Sequence, residues 1–212
     1  MRTAGPVGFD LDLTLINSRP AIMASWSATG EELGVAIDLA AVDERMGIKL
    51  EDEAAYWFSP AELQAAADCY RRHYVRLAPE LTFLLPGAME ALAAVRAAGE
   101  RAVVVTAKHP VSVAPSLAAV SLEPDELFTN VHGPEKAAVL AQVGAAVYAG
   151  DTPPDMAAGR QAGAVAVGVP TGSFSAEQLT QAGAQHVLGS LAEFPAWYEG
   201  FRAGAAAGAA RS

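Results

Sequence analysis

Apolar positions along the chain follow two rhythms. Val7, Gly8 and Phe9 form an uninterrupted apolar run that stops at Asp10, as a strand buried on both faces does. From about Pro20 to Ala78 apolar residues recur every three or four positions instead. That spacing predicts helices over 21–33, 39–46, 52–58 and 61–77. Ser59-Pro60, with Glu62 just beyond, marks the start of the last one. No strand is predicted within this stretch.

After Pro86-Gly87 short apolar runs return and alternate with helical ones. Helices are predicted over 88–98, 111–120, 134–143 and 153–162, and strands over 101–106, 128–131, 145–149 and 164–169. A helix around Glu177, a short segment at His186-Val187-Leu188 and a last helix from Ser190 follow. Strands alternating with helices of this length imply a parallel sheet covered on both faces. The chain therefore reads as a doubly wound α/β core, residues 1–16 and 84–212, with a small all-helical cap, residues 17–83, inserted after the first strand. The Ala/Gly-rich tail from Arg202 is expected to fray.

Composition narrows the picture. The 212 residues are 52% hydrophobic and 18% charged, which suits a soluble globular protein with one sizeable core. A net charge of -10 with no basic face argues against a nucleic-acid partner, so an anionic ligand must be held by a few local cations. Cys69 is the single cysteine, so no intrachain disulfide forms and a reducing compartment fits. No apolar run reaches membrane-spanning length and no signal peptide is evident, which makes the cytoplasm the expected location. A monomer and a homodimer both remain open.

In an open parallel sheet the site lies at the carboxyl ends of the strands. Asp10 ends the first strand, with Asp12 and Thr14 just beyond. Thr106 ends the second, followed by Ala107 and Lys108. Asp151 ends the strand over 145–149, with Asp155 four residues on, and Lys136 lies in the first turn of the preceding helix. Clustered carboxylates repel one another, and a hard divalent cation removes the conflict. Magnesium takes one or two carboxylates, waters and phosphate oxygens, and Asp10 and Asp151 are natural ligands. Attack by Asp10 on a phosphoryl group would split one hard step into two. Asp12 could then serve as acid and afterwards as base, while Thr106 and Lys136 hold and offset phosphoryl charge.

These segments resemble the four motifs of the haloacid dehalogenase superfamily, in order. The first is Gly8-Phe9-Asp10-Leu11-Asp12-Leu13-Thr14-Leu15, the second Thr106 after a Val-rich strand, and the third Lys136 in Gly-Pro-Glu-Lys-Ala-Ala. The fourth is Gly150-Asp151-Thr152-Pro153-Pro154-Asp155-Met156. The resemblance implies Asp10 as nucleophile and magnesium ligand, and Asp12 as acid/base that also binds the metal through its carbonyl. It implies Asp151 as a further ligand, and Asp155 as support for the lysine or the metal shell. The helical insert resembles the cap of the phosphoglycolate phosphatase-like branch. By position, its substrate loop would be about residues 45–50, with Arg45, Gly47 and Lys49. Lys108 after Ala107 also resembles that branch and adds two candidate substrate contacts. Leu13 stands where many of these phosphatases have Gly, and Ala107 replaces their Asn or Ser, which weighs against phosphoglycolate itself. A small phosphorylated metabolite is the implied partner.

Each residue has a plainer reading. Asp10-x-Asp12 can be a polar strand-to-loop transition, Thr106 a β-former and Lys136 a solvated helix residue. Thr152 and Pro153 open a helix, where Asp155 is a favoured first-turn acid. Lys49, Lys108 and Arg45 can be surface charges. Trp26, Trp57, Tyr70 and Tyr74 read as cap core, with substrate stacking as their alternative, and His109 and His132 as structural or peripheral. Competing functions on the same scaffold are a phosphomutase or phosphotransferase and a catalytically silent binding module. A dehalogenase lacks the second Asp and needs no metal. A phosphonate hydrolase needs a cap lysine, and Lys49 is the only one.

Overall fold

The computed structural model describes residues 5–209, with side chains to 204. Its centre is a six-stranded parallel sheet, β1 (Val7–Phe9), β4 (Ala102–Val105), β5 (Glu126–Phe128), β6 (Val147–Gly150), β7 (Val165–Gly168) and β8 (His186–Val187), in the order β5-β4-β1-β6-β7-β8. The connections run away from β1 in both directions, so the crevice above β1, β4 and β6 is the topological switch point where α/β proteins bind ligands.

The period of two along each strand sorts residues between the faces. Val7, Phe9, Val104, Val147 and Ala149 pack against α5 (Ala88–Ala97) and α10 (Phe194–Ala209). Val103, Val105 and Tyr148 pack on the other face against α7 (Pro134–Val143) and α8 (Pro153–Gln161). Gly8 also points to that second face. A Cβ there would meet Leu140 Cδ2 at 2.6 Å and Tyr148 Cδ2 at 2.9 Å, so the glycine lets α7 approach the sheet.

The chain leaves the sheet through β2 (Ile16–Asn17) and returns through β3 (Phe83–Leu84), an antiparallel pair with Ile16 opposite Leu84. Between them lie α1 (Arg19–Leu33), α2 (Leu39–Glu44), α3 (Leu50–Ala54) and α4 (Leu63–Leu81). These helices enclose their own apolar cluster, including Trp26, Val42, Phe58, Tyr70 and Tyr74. It is tied to α6 (Pro110–Val120) by a 2.9 Å hydrogen bond between Tyr74 and Ser116.

Several boundaries differ from expectation for local reasons. The third helix of the insert covers 50–54 rather than 52–58. Its first turn carries Glu51, Asp52 and Glu53, which favour the positive end of the helix dipole. The fourth begins after Glu62, whose carboxylate instead accepts from the Ser59 backbone and hydroxyl. It then continues past Pro79 to Leu81. The Val75 carbonyl forfeited to the proline lies on an exposed part of the helix, where water can satisfy it. The strand expected over 128–131 lies at Glu126–Phe128, anchored where Asp125 accepts from the Ala102 amide at 2.7 Å. The tail expected to fray continues α10 through Ala209, and residues 210–212 lie outside the described residues. No helix among the described residues is long and apolar enough to cross a membrane.

Candidate active site

The register of the central strands brings the carboxylates together. The Asp10 amide donates to the Ala149 carbonyl at 2.9 Å, which fixes the end of β1 beside the end of β6. Asp10, Asp151 and Asp155 are all buried, and one carboxylate oxygen from each lies within 4.8 Å of the others. Lys136, in the first turn of α7, reaches between them. Its Nζ donates to Asp10 Oδ1 at 2.7 Å and to Asp155 Oδ1 at 2.7 Å.

Asp155 is held on both oxygens. Besides Lys136, Oδ1 accepts from the Tyr148 hydroxyl at 3.0 Å, and Oδ2 accepts from the Thr152 hydroxyl at 2.5 Å and its amide at 3.2 Å. This closes a capping box at the start of α8. Asp151 accepts from the Thr14 hydroxyl at 2.9 Å. Its other oxygen fills the space beside Gly172, where a Cβ would lie 2.0 Å from Oδ2, so only a glycine admits that carboxylate.

The turn after β1 aims Asp12. Leu13 adopts a left-handed backbone, φ 58, and its amide donates to the Ile16 carbonyl at 2.7 Å. A glycine would adopt this conformation without strain. Here the buried Leu13 side chain and a hydrogen bond from Thr171 to the Leu13 carbonyl hold it. Asp12 Oδ1 accepts from the Ser18 hydroxyl at 2.5 Å and from Lys108 Nζ at 2.8 Å. Lys108 lies over the Tyr74 ring, 4.2 Å from its centroid. Thr106 is buried at the end of β4, and its hydroxyl accepts from the Lys108 amide at 3.1 Å.

Burial dominates the electrostatics. It pushes the Asp10 carboxyl up to about 7 against the pull of Lys136, with Asp155 and Asp12 adding to the rise. Asp151 is likewise raised well above the ordinary carboxylate range, by burial first and then by Asp10 and Asp155. For Lys136 burial opposes the charge, but Asp10 and Asp155 outweigh it and its ammonium is held well above the usual value. One lysine thus serves a crowd of carboxylates, and the site is short of positive charge. A divalent cation with oxygen ligands would supply it, and Asp10 and Asp151, each with an oxygen outside these ion pairs, fit such an ion.

A cavity of about 460 Å³ opens above this cluster, between the sheet and α1–α4. Asp10, Asp12, Thr106, Ala107, Lys108, Lys136, Asp151 and Asp155 all line it, so the structure brings together every site residue expected from the core. Lys49 and Arg45 also line it, from the insert. Lys49 is exposed at the start of α3. Arg45 is committed elsewhere: its guanidinium grips buried Glu53 through Nε at 2.9 Å and Nη2 at 2.6 Å, and lies 4.1 Å from the Tyr56 ring centroid. The residues sequence reasoning missed are Glu53 and Tyr148, while Tyr70, expected as cap core, packs there and also lines the cavity. Tyr148 carries a signal, a polar tip in an otherwise apolar central strand, but Glu53 looks like an ordinary helix residue.

Residues 7–160 match the sequence pattern of the haloacid dehalogenase-like hydrolases, and residues 135–194 match a second, HAD-hydrolase-like pattern. The chain belongs to the haloacid dehalogenase-like hydrolases. Among solved structures it is similar to a haloacid dehalogenase-like family hydrolase from Streptococcus pneumoniae, at 21% identity and TM-score 0.80 over 93% of this chain and 100% of that one. It is also similar to a protein described as a predicted phosphoglycolate phosphatase from Haemophilus somnus, at 22% identity and TM-score 0.79 over 91% of this chain and 97% of that one. A third is CbbY from Rhodobacter sphaeroides in complex with phosphate, at 20% identity and TM-score 0.77 over 89% of this chain and 95% of that one. At these identities the likeness concerns the fold. No curated relative matches.

Proposed function

We propose that this chain is a magnesium-dependent phosphatase that hydrolyses a small phosphomonoester through a phosphorylated Asp10. The observation that carries the reading is the Lys136 ammonium shared by Asp10 and Asp155, with Asp151 alongside, at the floor of a cavity. A buried carboxylate can meet an anionic phosphoryl group only where positive charge is concentrated.

In the first half-reaction the Asp10 oxygen not held by Lys136 attacks phosphorus. The ester P–O bond breaks, and the leaving alkoxide takes the proton of the Asp12 carboxyl. In the second, the Asp12 carboxylate takes a proton from water. The water oxygen attacks phosphorus, the bond to Asp10 breaks, and phosphate leaves with Asp10 restored. The hydrogen bonds from Lys108 and Ser18 hold the Asp12 carboxyl in place for both proton transfers. A magnesium ion held by Asp10, Asp151 and the Asp12 carbonyl would neutralise phosphoryl charge in both steps. Asp155, with both oxygens engaged, holds Lys136 rather than the ion. Thr106 and Ala107 border the phosphoryl site, and Lys49 at the mouth attracts the anionic substrate. The segment 17–83 acts as the cap, which excludes water and contacts the leaving group.

The test is phosphate release from a panel of small phosphomonoesters with magnesium and with chelator. Release that needs magnesium is expected. Equal release under chelation would defeat the metal assignment, and absence of release from every ester would defeat the phosphatase reading. Turnover that needs a sugar bisphosphate activator would mark a phosphomutase instead.

A further inference from the structure

The roof of the cavity says what kind of leaving group it accepts. Its cations are already spent. Arg45 is bound to Glu53, Arg71 to Glu51 and Asp68, Lys108 to Asp12, and Lys136 to Asp10 and Asp155. Among the described lysines and arginines lining the cavity only Lys49 lacks an ion pair, and it lies exposed at the mouth. Five lysines and arginines line the cavity against seven aspartates and glutamates. A divalent cation would balance that deficit and the phosphoryl group would then add negative charge again. Inside the cavity, away from Lys49 at its mouth, no unpaired lysine or arginine is left for a second anionic group on the substrate.

The inner wall facing Asp12 is apolar and aromatic instead. Trp26 and Tyr70 pack with ring centroids 4.8 Å apart, Tyr70 and Tyr74 at 6.0 Å, and Ile22 and Val42 complete the surface. Tyr70 is the informative member. It is 7% exposed and lines the cavity, and among the described residues its hydroxyl, open to that cavity, makes no hydrogen bond. The Tyr74 hydroxyl beside it is satisfied by Ser116. A phenol at a cavity wall that makes no bond within the protein is free to make one to a ligand, as is Arg71 Nε, a buried donor without a partner in the same cavity.

We propose that the cap accepts an uncharged leaving group with an apolar, ring-sized face, stacked on Tyr70 and offering that hydroxyl one neutral polar atom. This deepens the phosphatase reading and rests on it for the identity of the phosphoryl floor. It places phosphoglycolate, whose leaving group carries a carboxylate, among the poor substrates. A polyhydroxylated chain is disfavoured too, because its hydroxyls would lose water against an apolar wall.

The test separates the pocket from the chemistry by using ligands that cannot be hydrolysed. Binding of benzylphosphonate and of phosphonoacetate to the full chain with magnesium is measured by calorimetry, beside turnover of benzyl phosphate and phosphoglycolate. Benzylphosphonate is expected to bind at least about tenfold tighter, within the range a filled apolar pocket gives, and benzyl phosphate to show the higher kcat/KM. Equal or tighter binding of phosphonoacetate overturns the proposal. If the preference for benzylphosphonate holds while no ester is hydrolysed, the pocket stands and the phosphatase reading falls. Tyr70→Leu should remove most of the preference without a matching loss of inorganic phosphate binding, and Tyr70→Phe should restore stacking. A preference unchanged in Tyr70→Leu would remove Tyr70 from the pocket.

Discussion

The floor and the roof of the cavity are built by different means. Asp10, Thr106 and Asp151 stand at the ends of hydrogen-bonded strands whose register leaves little freedom, and Lys136 and Asp155 are locked to each other. Trp26 and Tyr70 hang on helices, and Arg45 on the turn after α2, held together by side-chain packing around a cluster separate from the sheet's core. Packing tolerates replacement of one apolar side chain by another of similar volume far better than a charge network tolerates loss of a member. If the floor carries the chemistry and the roof selects the leaving group, the two can vary independently on one scaffold.

The sharpest way to break this contrast is Asp10→Asn. Turnover should fall by at least about 10³-fold, because the amide is not a nucleophile and no neighbour can replace it. The same variant tests the floor's electrostatics. The folded Asp10 carboxyl titrates at about 7, against 3.8 ordinarily. Between those values the folded chain holds a proton the unfolded chain has released, so stability falls as pH rises through this window. Asp151 is shifted in the same direction. Thermal melts of the chelated protein from pH 5 to 8 should show Tm dropping, with a shallower drop in Asp10→Asn. A slope as steep as the wild type's would mean Asp10 is not the group being desolvated.

How much of each region was legible follows from the same difference. The floor was readable because strand-end residues carry their position in the sequence. An apolar run that stops at Asp10 or at Asp151 states where the strand ends, and parallel pairing brings those ends together. The left-handed turn at Leu13 was not readable, since leucine gives no turn signal and tertiary contacts from Thr171 hold it. On the roof, helical periodicity located α1 and α4 but not what their side chains meet. Arg45 looked like a substrate cation because its partner Glu53 lies eight positions away across a helix break, a separation with no periodic signature. The two-residue strands β2 and β3 were too short to register as runs, and only their pairing across the insert defines them.

Arg45→Met sharpens the roof side of the comparison. It leaves Glu53, 4% exposed, with Trp57 Nε1 as its remaining partner at 2.8 Å, so a buried carboxylate loses its counterion. Tm should fall, and adding Glu53→Gln should recover much of the loss because the new side chain carries no charge to desolvate. Loss of kcat/KM should stay within about tenfold, since no contact to the phosphoryl group is removed. A much larger activity loss at unchanged Tm would place Arg45 on the substrate.

The smallest effect expected on the floor is that of Tyr148→Phe, and it asks whether the floor's rigidity is shared or carried by one bond. The Tyr148 hydroxyl lies 3.0 Å from Asp155 Oδ1 and 3.2 Å from the Val105 carbonyl, so its single proton is divided between two acceptors. Removing it leaves Asp155 with Lys136 and Thr152, and leaves the Val105 carbonyl with one neighbour fewer. The substitution opens no large cavity, because the ring stays. Stability should fall by about 1 kcal/mol, the usual worth of one buried hydrogen bond. If Asp155 positions Lys136, kcat should drop by a few-fold while KM moves little, since the lysine acts on charge that develops in the transition state. A KM effect without a kcat effect would show that Tyr148 shapes the ground-state pocket, and the floor would then be less separate from the roof than its hydrogen bonds imply.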